Sequence, residues 1–126
     1  INNYTTLEGM VKKHKAGDEE FNLSQPLIDL YNKKDFGQYA DKDGSLHVNF
    51  LTDNDITGGN SGSPVLNGKG ELIGLAFDGN IEAMAGDVIF DDKLQRTINV
   101  DIRFVLFIIE KYAGAKHIID ELTIVK

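Results

Sequence analysis

Thr57-Gly58-Gly59-Asn60-Ser61-Gly62-Ser63-Pro64 is the stretch on which the reading of this chain turns. A serine set among glycines implies a tight, strained turn that projects one hydroxyl outward. The glycines supply the φ values that such a turn needs and leave room for a carbonyl to approach. The peptide N–H groups of Gly59 and Ser61, two residues apart, are expected to converge on one point and to stabilise an oxyanion. A nucleophile and an anion hole make half of an acyl-transfer site. The other half, a general base with its orienting acid, is not evident nearby.

Outward from the turn, Pro64-Val65-Leu66 and Glu71-Leu72-Ile73-Gly74-Leu75-Ala76-Phe77 read as two strands. Asn67-Gly68-Lys69-Gly70 joins them with a strong hairpin signal. Upstream, Leu46-His47-Val48-Asn49-Phe50 alternates as a half-buried strand with Leu46, Val48 and Phe50 inward. Downstream, Val88-Ile89-Phe90 and Arg96-Thr97-Ile98-Asn99-Val100 are expected to pair around Asp91-Asp92-Lys93. Asp101 is placed to cap a helix that runs to Tyr112 and ends at Gly114. The apolar residues of that helix nearly encircle it, so it expects cover on most sides. Near the start, Tyr4 to Val11 mixes β-branched and apolar residues and reads as a strand. Ser24-Gln25-Pro26 opens a short helix carrying Leu27, Leu30 and Tyr31, with Lys33-Lys34 at its negative end.

With 126 residues, 41% of them hydrophobic, the chain suffices for one modest core. A formal net charge of −7 argues against nucleic acid or an anionic membrane as partner. The absence of cysteine excludes disulfides and thiolate zinc sites. There is no apolar run of the about 18 residues that a bilayer crossing takes. The opening Ile1-Asn2-Asn3-Tyr4 carries no signal pattern, and the chain is read as a piece cut from a longer protein.

Gly59-Asn60-Ser61-Gly62-Ser63-Pro64 resembles the chymotrypsin-type serine peptidase signature, in the variant with asparagine before the nucleophile. Gly70-Glu71-Leu72-Ile73-Gly74-Leu75-Ala76-Phe77-Asp78-Gly79-Asn80 and Arg96-Thr97-Ile98-Asn99-Val100-Asp101-Ile102-Arg103-Phe104-Val105-Leu106-Phe107-Ile108 narrow the likeness. Together they resemble the C-terminal part of the bacterial dipeptidyl-peptidase 7 and 11 family. The resemblance covers nearly the whole chain and is strongest from Asp55 to Ala115.

The resemblance implies a mainly β fold. Residues 1–126 would form the second barrel of a chymotrypsin-like double β-barrel, with a short helix near the N-terminal third and a C-terminal helix. The first barrel and an inserted helical domain would lie outside this chain. The family removes dipeptides from free peptide N-termini, and its triad histidine and aspartate lie far upstream. Ser61 is then the nucleophile, with Gly59 and Ser61 giving the oxyanion N–H groups. Asp78 matches the acid that holds the substrate's free α-amino group, since an ammonium withdrawn from water needs a fixed counter-charge. Gly79 matches a position lining the pocket for the side chain before the cleaved bond. The acidic-specific branch has arginine there, so this chain is closer to the dipeptidyl-peptidase 7 type, with a hydrophobic or uncharged preference. Neither cofactor nor metal is expected. A periplasmic or cell-surface location is expected, and a homodimer when intact, with helix 101–112 as one surface for pairing.

Each of these readings has a plainer rival. A glutamyl-endopeptidase-like protein, which shares Thr57 to Pro64, is one alternative, and a non-catalytic β-barrel module that keeps a relic serine is the other. Asp78 as an ordinary strand-end acid and Gly79 as a turn residue are the bland readings. Asp55, six residues before Ser61, sits where related enzymes place the pocket floor; an acidic loop is preferred for it. Asp41-Lys42-Asp43-Gly44-Ser45 lacks the glycine and closing glutamate of a calcium loop, so a turn is preferred. His14, among lysines, His47, on an outer strand face, and His117, after the long helix, are not expected to serve Ser61.

Overall fold

The computed structural model describes residues 2–80 and 95–126. Five strands form one sheet in the order β1-β2-β5-β4-β3: β1 (Tyr4–Thr6), β2 (His47–Thr52), β3 (Pro64–Leu66), β4 (Leu72–Gly79) and β5 (Thr97–Asp101). The β2–β5, β5–β4 and β4–β3 pairs are antiparallel. Short helices accompany them: α1 (Leu7–Lys12), α2 (Gln25–Asn32), α3 (Ile102–Phe107) and α4 (Lys116–Asp120). The result is the expected antiparallel sheet with a few helices. The chain divides into two units, one of Ile1–Tyr4 and Asn49–Ile102, the other of Thr5–Val48 and Arg103–Lys126.

The second unit is built by apolar burial. Leu7, Leu27, Phe36, Tyr39, Leu46, Val48 and Phe107 form its core, with Met10, Val11, Leu30 and Phe104 among the half-buried residues packed on it. Phe36 meets Phe107 edge to face, with ring centroids 6.1 Å apart, a favoured aromatic geometry. Tyr39 donates its hydroxyl to Glu110 Oε1 at 3.0 Å. Burial of the ring, and then the neighbouring Glu110, raises the Tyr39 pKa above its ordinary value.

One expectation fails here. The strand read from Tyr4 to Val11 stops at Thr6, and Leu7–Lys12 is helical. The Thr6 hydroxyl accepts from Gly9 N at 3.3 Å and caps the helix. Leu7, Met10 and Val11 then share one face at helical spacing, while Glu8 and Lys12 pair one turn apart at 3.1 Å. The β-branched residues suggested a strand, but the three-and-four spacing prevailed.

Helix α2 begins where expected, with Pro26 in its first turn, but the Ser24 hydroxyl makes no capping bond. At its other end Lys34 adopts φ +54°. Lys34 N donates to Tyr31 O and Asp35 N to Leu30 O, which closes the helix with a left-handed residue that is lysine rather than glycine. The Lys34 ammonium lies 4.2 Å from the Tyr31 ring centroid, a contact that helps hold this turn.

The long apolar helix also departs from its reading. It begins where expected, with Asp101 as the last residue of β5 and α3 following at once. From Ile108 to Tyr112 the helix widens to π geometry, with Ala113 N reaching Ile108 O at 2.8 Å. Gly114 then turns the chain at φ +67°, as expected of a helix-ending glycine.

In the first unit, β5 is central, with Thr52↔Thr97 and Phe50↔Asn99 on one side and Ala76↔Asn99 and Gly79↔Thr97 on the other. The hairpin at Asn67 to Gly70 forms as read: Asn67 Oδ1 accepts from Lys69 N and Glu71 N, and Gly70 takes φ +78°. Gly74 is where the sheet is tightest. A Cβ there would stand 2.6 Å from Val100 O and 2.7 Å from the Phe50 ring. The expected strand Val88-Ile89-Phe90 lies outside the described residues.

Candidate active site

The turn around Ser61 is held from within and from the sheet. Asn60 Oδ1 accepts from Thr57 N at 2.8 Å and from the Thr57 hydroxyl at 3.2 Å. Asn60 N donates back to Thr57 O, and Asn60 O accepts from Ser63 N at 2.9 Å. Two further bonds tie the turn to β4: Gly62 N to Ala76 O at 2.7 Å and Ala76 N to Ser63 O at 2.9 Å. Gly59 and Gly62 take φ +95° and +87°, conformations that cost side-chain-bearing residues energy. A Cβ at either would meet nothing within 4 Å, so glycine serves conformation here, not space.

Ser61 is exposed, and its hydroxyl donates to Phe77 O at 3.3 Å. That bond is long and readily exchanged for another acceptor. The flanking amides of Asn60 and Gly62 are engaged in the turn. Among the described residues, no hydrogen bond uses the amide of Gly59 or of Ser61. The two donors singled out from the sequence are both open, as is the amide of Gly58.

The Ser61 hydroxyl points at the residue just before Asp78, and a β-bulge sits at that point. The register runs Ala76↔Asn99, then Asp78↔Ile98, leaving Phe77 as the extra residue. Without the bulge, alternation would set Asp78 opposite Thr97 on the buried face. With it, Phe77 and Asp78 are both exposed, and Gly79 takes the place opposite Thr97. Asp78 Oδ1 accepts from Gly79 N at 2.8 Å, which fixes the carboxylate beside its own backbone.

The bland reading holds for the acidic loop: Asp55 is exposed, with Oδ1 accepting from Ile56 N at 2.8 Å. The Asp41 to Ser45 segment is likewise a turn, in which Asp43 Oδ1 takes both the amide and the hydroxyl of Ser45. Among the described residues no cluster of three metal-binding side chains exists.

His14, His47 and His117 all belong to the unit of Thr5–Val48 and Arg103–Lys126, and residues 49–102 contain no histidine. His14 Nδ1 accepts from Leu23 N at 3.0 Å. His47 lies between the buried Leu46 and Val48 in the alternation expected, and its Nε2 is 3.2 Å from Asp41 Oδ2, with the side chain 13% exposed.

Two features escaped the sequence reading. Asn60 entered the sequence reading only as the residue before the nucleophile, yet its amide oxygen organises the turn; an Asn three residues after Thr57 is a usable side-chain-to-backbone signal. Thr97 and Asn99 are fully buried on β5, and nothing in their local sequence marks them as interior.

An antiparallel sheet presenting an exposed serine on a glycine turn is an architecture of peptidases. Residues 1–124 match the family described as Peptidase S46, and the chain belongs to that family. It is 69% identical over 125 residues to dipeptidyl-peptidase 7 of Capnocytophaga gingivalis, covering 99% of this chain and 18% of that protein. It is 50% identical to the Asp/Glu-specific dipeptidyl-peptidase of the same organism, over 98% of this chain and 17% of that one. The crystal structure of Porphyromonas endodontalis DPP11 in complex with the dipeptide Arg-Glu superposes with a TM-score of 0.93 at 46% identity, over 96% of this chain and 17% of that chain. The chain thus spans less than a fifth of the length of these relatives.

Proposed function

We propose that this chain is the C-terminal, nucleophile-bearing part of a serine-type dipeptidyl aminopeptidase. The observation that carries the reading is the open pair of amides at Gly59 and Ser61 beside an exposed Ser61 hydroxyl. In this reading the sheet belongs to the second barrel of a chymotrypsin-like double barrel. Its first barrel and an inserted helical domain come from the rest of the protein, in keeping with the small share of each relative that is matched.

Ser61 Oγ attacks the carbonyl carbon of the substrate's second residue. The hydroxyl proton passes to a histidine supplied by the rest of the protein, and the Gly59 and Ser61 amides hold the oxyanion. The C–N bond breaks as that histidine protonates the leaving amine, and water then releases the dipeptide from Ser61. The exposed Asp78 carboxylate, one residue beyond the Ser61 contact, binds the substrate's α-ammonium and so counts residues from the N-terminus. Gly79 adds neither charge nor bulk to the pocket before the cleaved bond, which favours hydrophobic or uncharged side chains as in the dipeptidyl-peptidase 7 type. Asn60 carries no charge to pair with a newly cut N-terminal amine, so activation needs no such insertion. The enzyme is placed in the periplasm or on the cell surface, as a homodimer.

Assaying the full-length protein on dipeptidyl amides with free and with acylated N-termini tests the reading. Cleavage of the free form alone, abolished by Ser61→Ala, is expected. Equal cleavage of both forms would point to a glutamyl-endopeptidase-like enzyme. Failure of Ser61 to react with a fluorophosphonate would mark a relic serine and end the proposal.

A further inference from the structure

We propose that Thr97 is a positioning residue for this site: its buried hydroxyl joins the segment entering the serine turn to the strand row that carries Gly79. The inference rests on the dipeptidyl-peptidase reading of Ser61 and Gly79 given above.

Thr97 stands where two ladders end. On one side the β2–β5 register stops at Thr52↔Thr97, and the chain leaves the sheet through Asp53 to Ile56 toward the serine turn. On the other side Thr97 faces Gly79, and the last tie beyond that row is made by Asn80 N to Arg96 O and Arg96 N to Asn80 Oδ1, each 3.0 Å. The departing segment has lost its backbone partners on β5, and the Thr97 side chain replaces them. Its Oγ1 donates to Asn54 O at 2.8 Å and accepts from Asn54 Nδ2 at 3.2 Å. The same Asn54 Nδ2 donates to Asp55 O at 2.9 Å, so the grip extends one residue further toward Ser61.

Burial gives these bonds their weight. Thr97 is 0% exposed, so its hydroxyl has no water to turn to when the Asn54 bonds are lost. Valine has the same shape and suits a strand as well, yet would leave the Asn54 amide without this acceptor. Asn99, two residues along the same face, does a different job. Its Nδ2 reaches Thr52 Oγ1 at 3.0 Å and Phe50 O at 3.4 Å, which holds β2 itself, and its Oδ1 has no partner among the described residues. Thr97, by contrast, reaches past the end of β2 to Asn54. Its hydroxyl fixes how far the entering loop stands from the Gly79 row. In the proposed pocket that distance sets the room for the side chain before the cleaved bond.

Three variants of the full-length protein test this: Thr97→Val, Thr97→Ser and Asn54→Ala. Steady-state kinetics are measured on free-N-terminus dipeptidyl amides with phenylalanine or alanine as the second residue. Thr97→Val is expected to lower kcat/KM about tenfold on the phenylalanine substrate, through KM more than kcat, and to change its ratio to alanine. Thr97→Ser, which keeps the hydroxyl, restores the ratio. Asn54→Ala alters an exposed residue, folds without difficulty, and shifts the ratio the same way by less. A lowered melting temperature with an unchanged ratio in Thr97→Val overturns the inference. If Thr97→Val does not fold, an unchanged ratio in Asn54→Ala overturns it. An unmodified protein that releases no dipeptide refutes the underlying reading of Ser61 as well, a result distinct from either of these.

Discussion

The two units of this chain bury opposite kinds of residue. Among the described residues, the unit of Thr5–Val48 and Arg103–Lys126 buries Leu7, Leu27, Phe36, Tyr39, Leu46, Val48, Phe107 and Ile119. Among the described residues of the unit that carries Ser61, the buried side chains are Ala76 together with the polar Gln95, Thr97, Asn99 and Asp101. Apolar burial is strong but non-directional, whereas hydrogen bonds are weaker net and specify position. The contrast teaches where each is needed: one unit is held by packing, and the other is held in register for a hydroxyl and two amides. A polar interior also explains how β4 can carry a bulge, since its neighbours are fixed by side-chain bonds as well as by the ladder.

The largest effect that would sharpen this contrast is functional and not structural. Ser61→Ala in the full-length protein should lower dipeptide release by about a thousandfold or more. Because Ser61 is exposed, its unfolding midpoint should stay where it was. Because the proposed base comes from the rest of the protein, this chain by itself should release no dipeptide from the same substrates; Ser61-dependent turnover from it would break the reading.

Next in size is the packed unit. Phe107 is 0% exposed at the centre of its core, and Phe107→Ala should cost about 3–5 kcal/mol in chemical denaturation. A loss under about 1 kcal/mol would erase the distinction between the units.

Gly74→Ala probes the other unit by crowding. The new methyl would meet the Val100 carbonyl and the Phe50 ring. A destabilisation of about 1–3 kcal/mol is expected, together with altered kinetics, because Gly74 and Ala76 share the strand that ties down the serine turn. Lost stability with unchanged kinetics would show that the sheet does not position the turn.

The smallest effect is electrostatic. The Asp41 carboxyl is held below its ordinary pKa of 3.8, first by the Lys42 amide at 2.7 Å and then by Arg103 and His47, against the opposing influence of burial. A depressed carboxylate stabilises the fold above its unfolded pKa, and this is lost as pH falls through the folded value. Acid titration by NMR should therefore place the Asp41 midpoint below that of an unstructured aspartate. Asp41→Asn should narrow the stability difference between neutral pH and about pH 3. With its side chain 37% exposed, the effect is small.

Legibility followed the same division. The core helix residues Leu27, Leu30 and Phe107 could be read because spacing and hydropathy agree there. Leu7–Lys12 could not, since Thr5, Thr6 and Val11 favour a strand until the Thr6 cap is known. In β5, hydropathy points Ile98 and Val100 inward, yet Thr97 and Asn99 are the fully buried pair. Their partners, Asn54 and Thr52, lie more than forty residues away and leave no local trace.

By itself the sequence determined the serine turn, the Asn67 hairpin and the family likeness, because each rests on residues whose backbone preferences or side chains act within a few positions. The tertiary structure alone decided that Asp78 is exposed and Gly79 faces the interior, through one extra residue at Phe77. It also decided that Thr97 and Asn99, not Ile98 and Val100, are the fully buried residues of β5. Strand register and the pairing of distant donors with acceptors are settled only when segments far apart in the chain come together, since only then does a side chain find the face and the partner that determine its role.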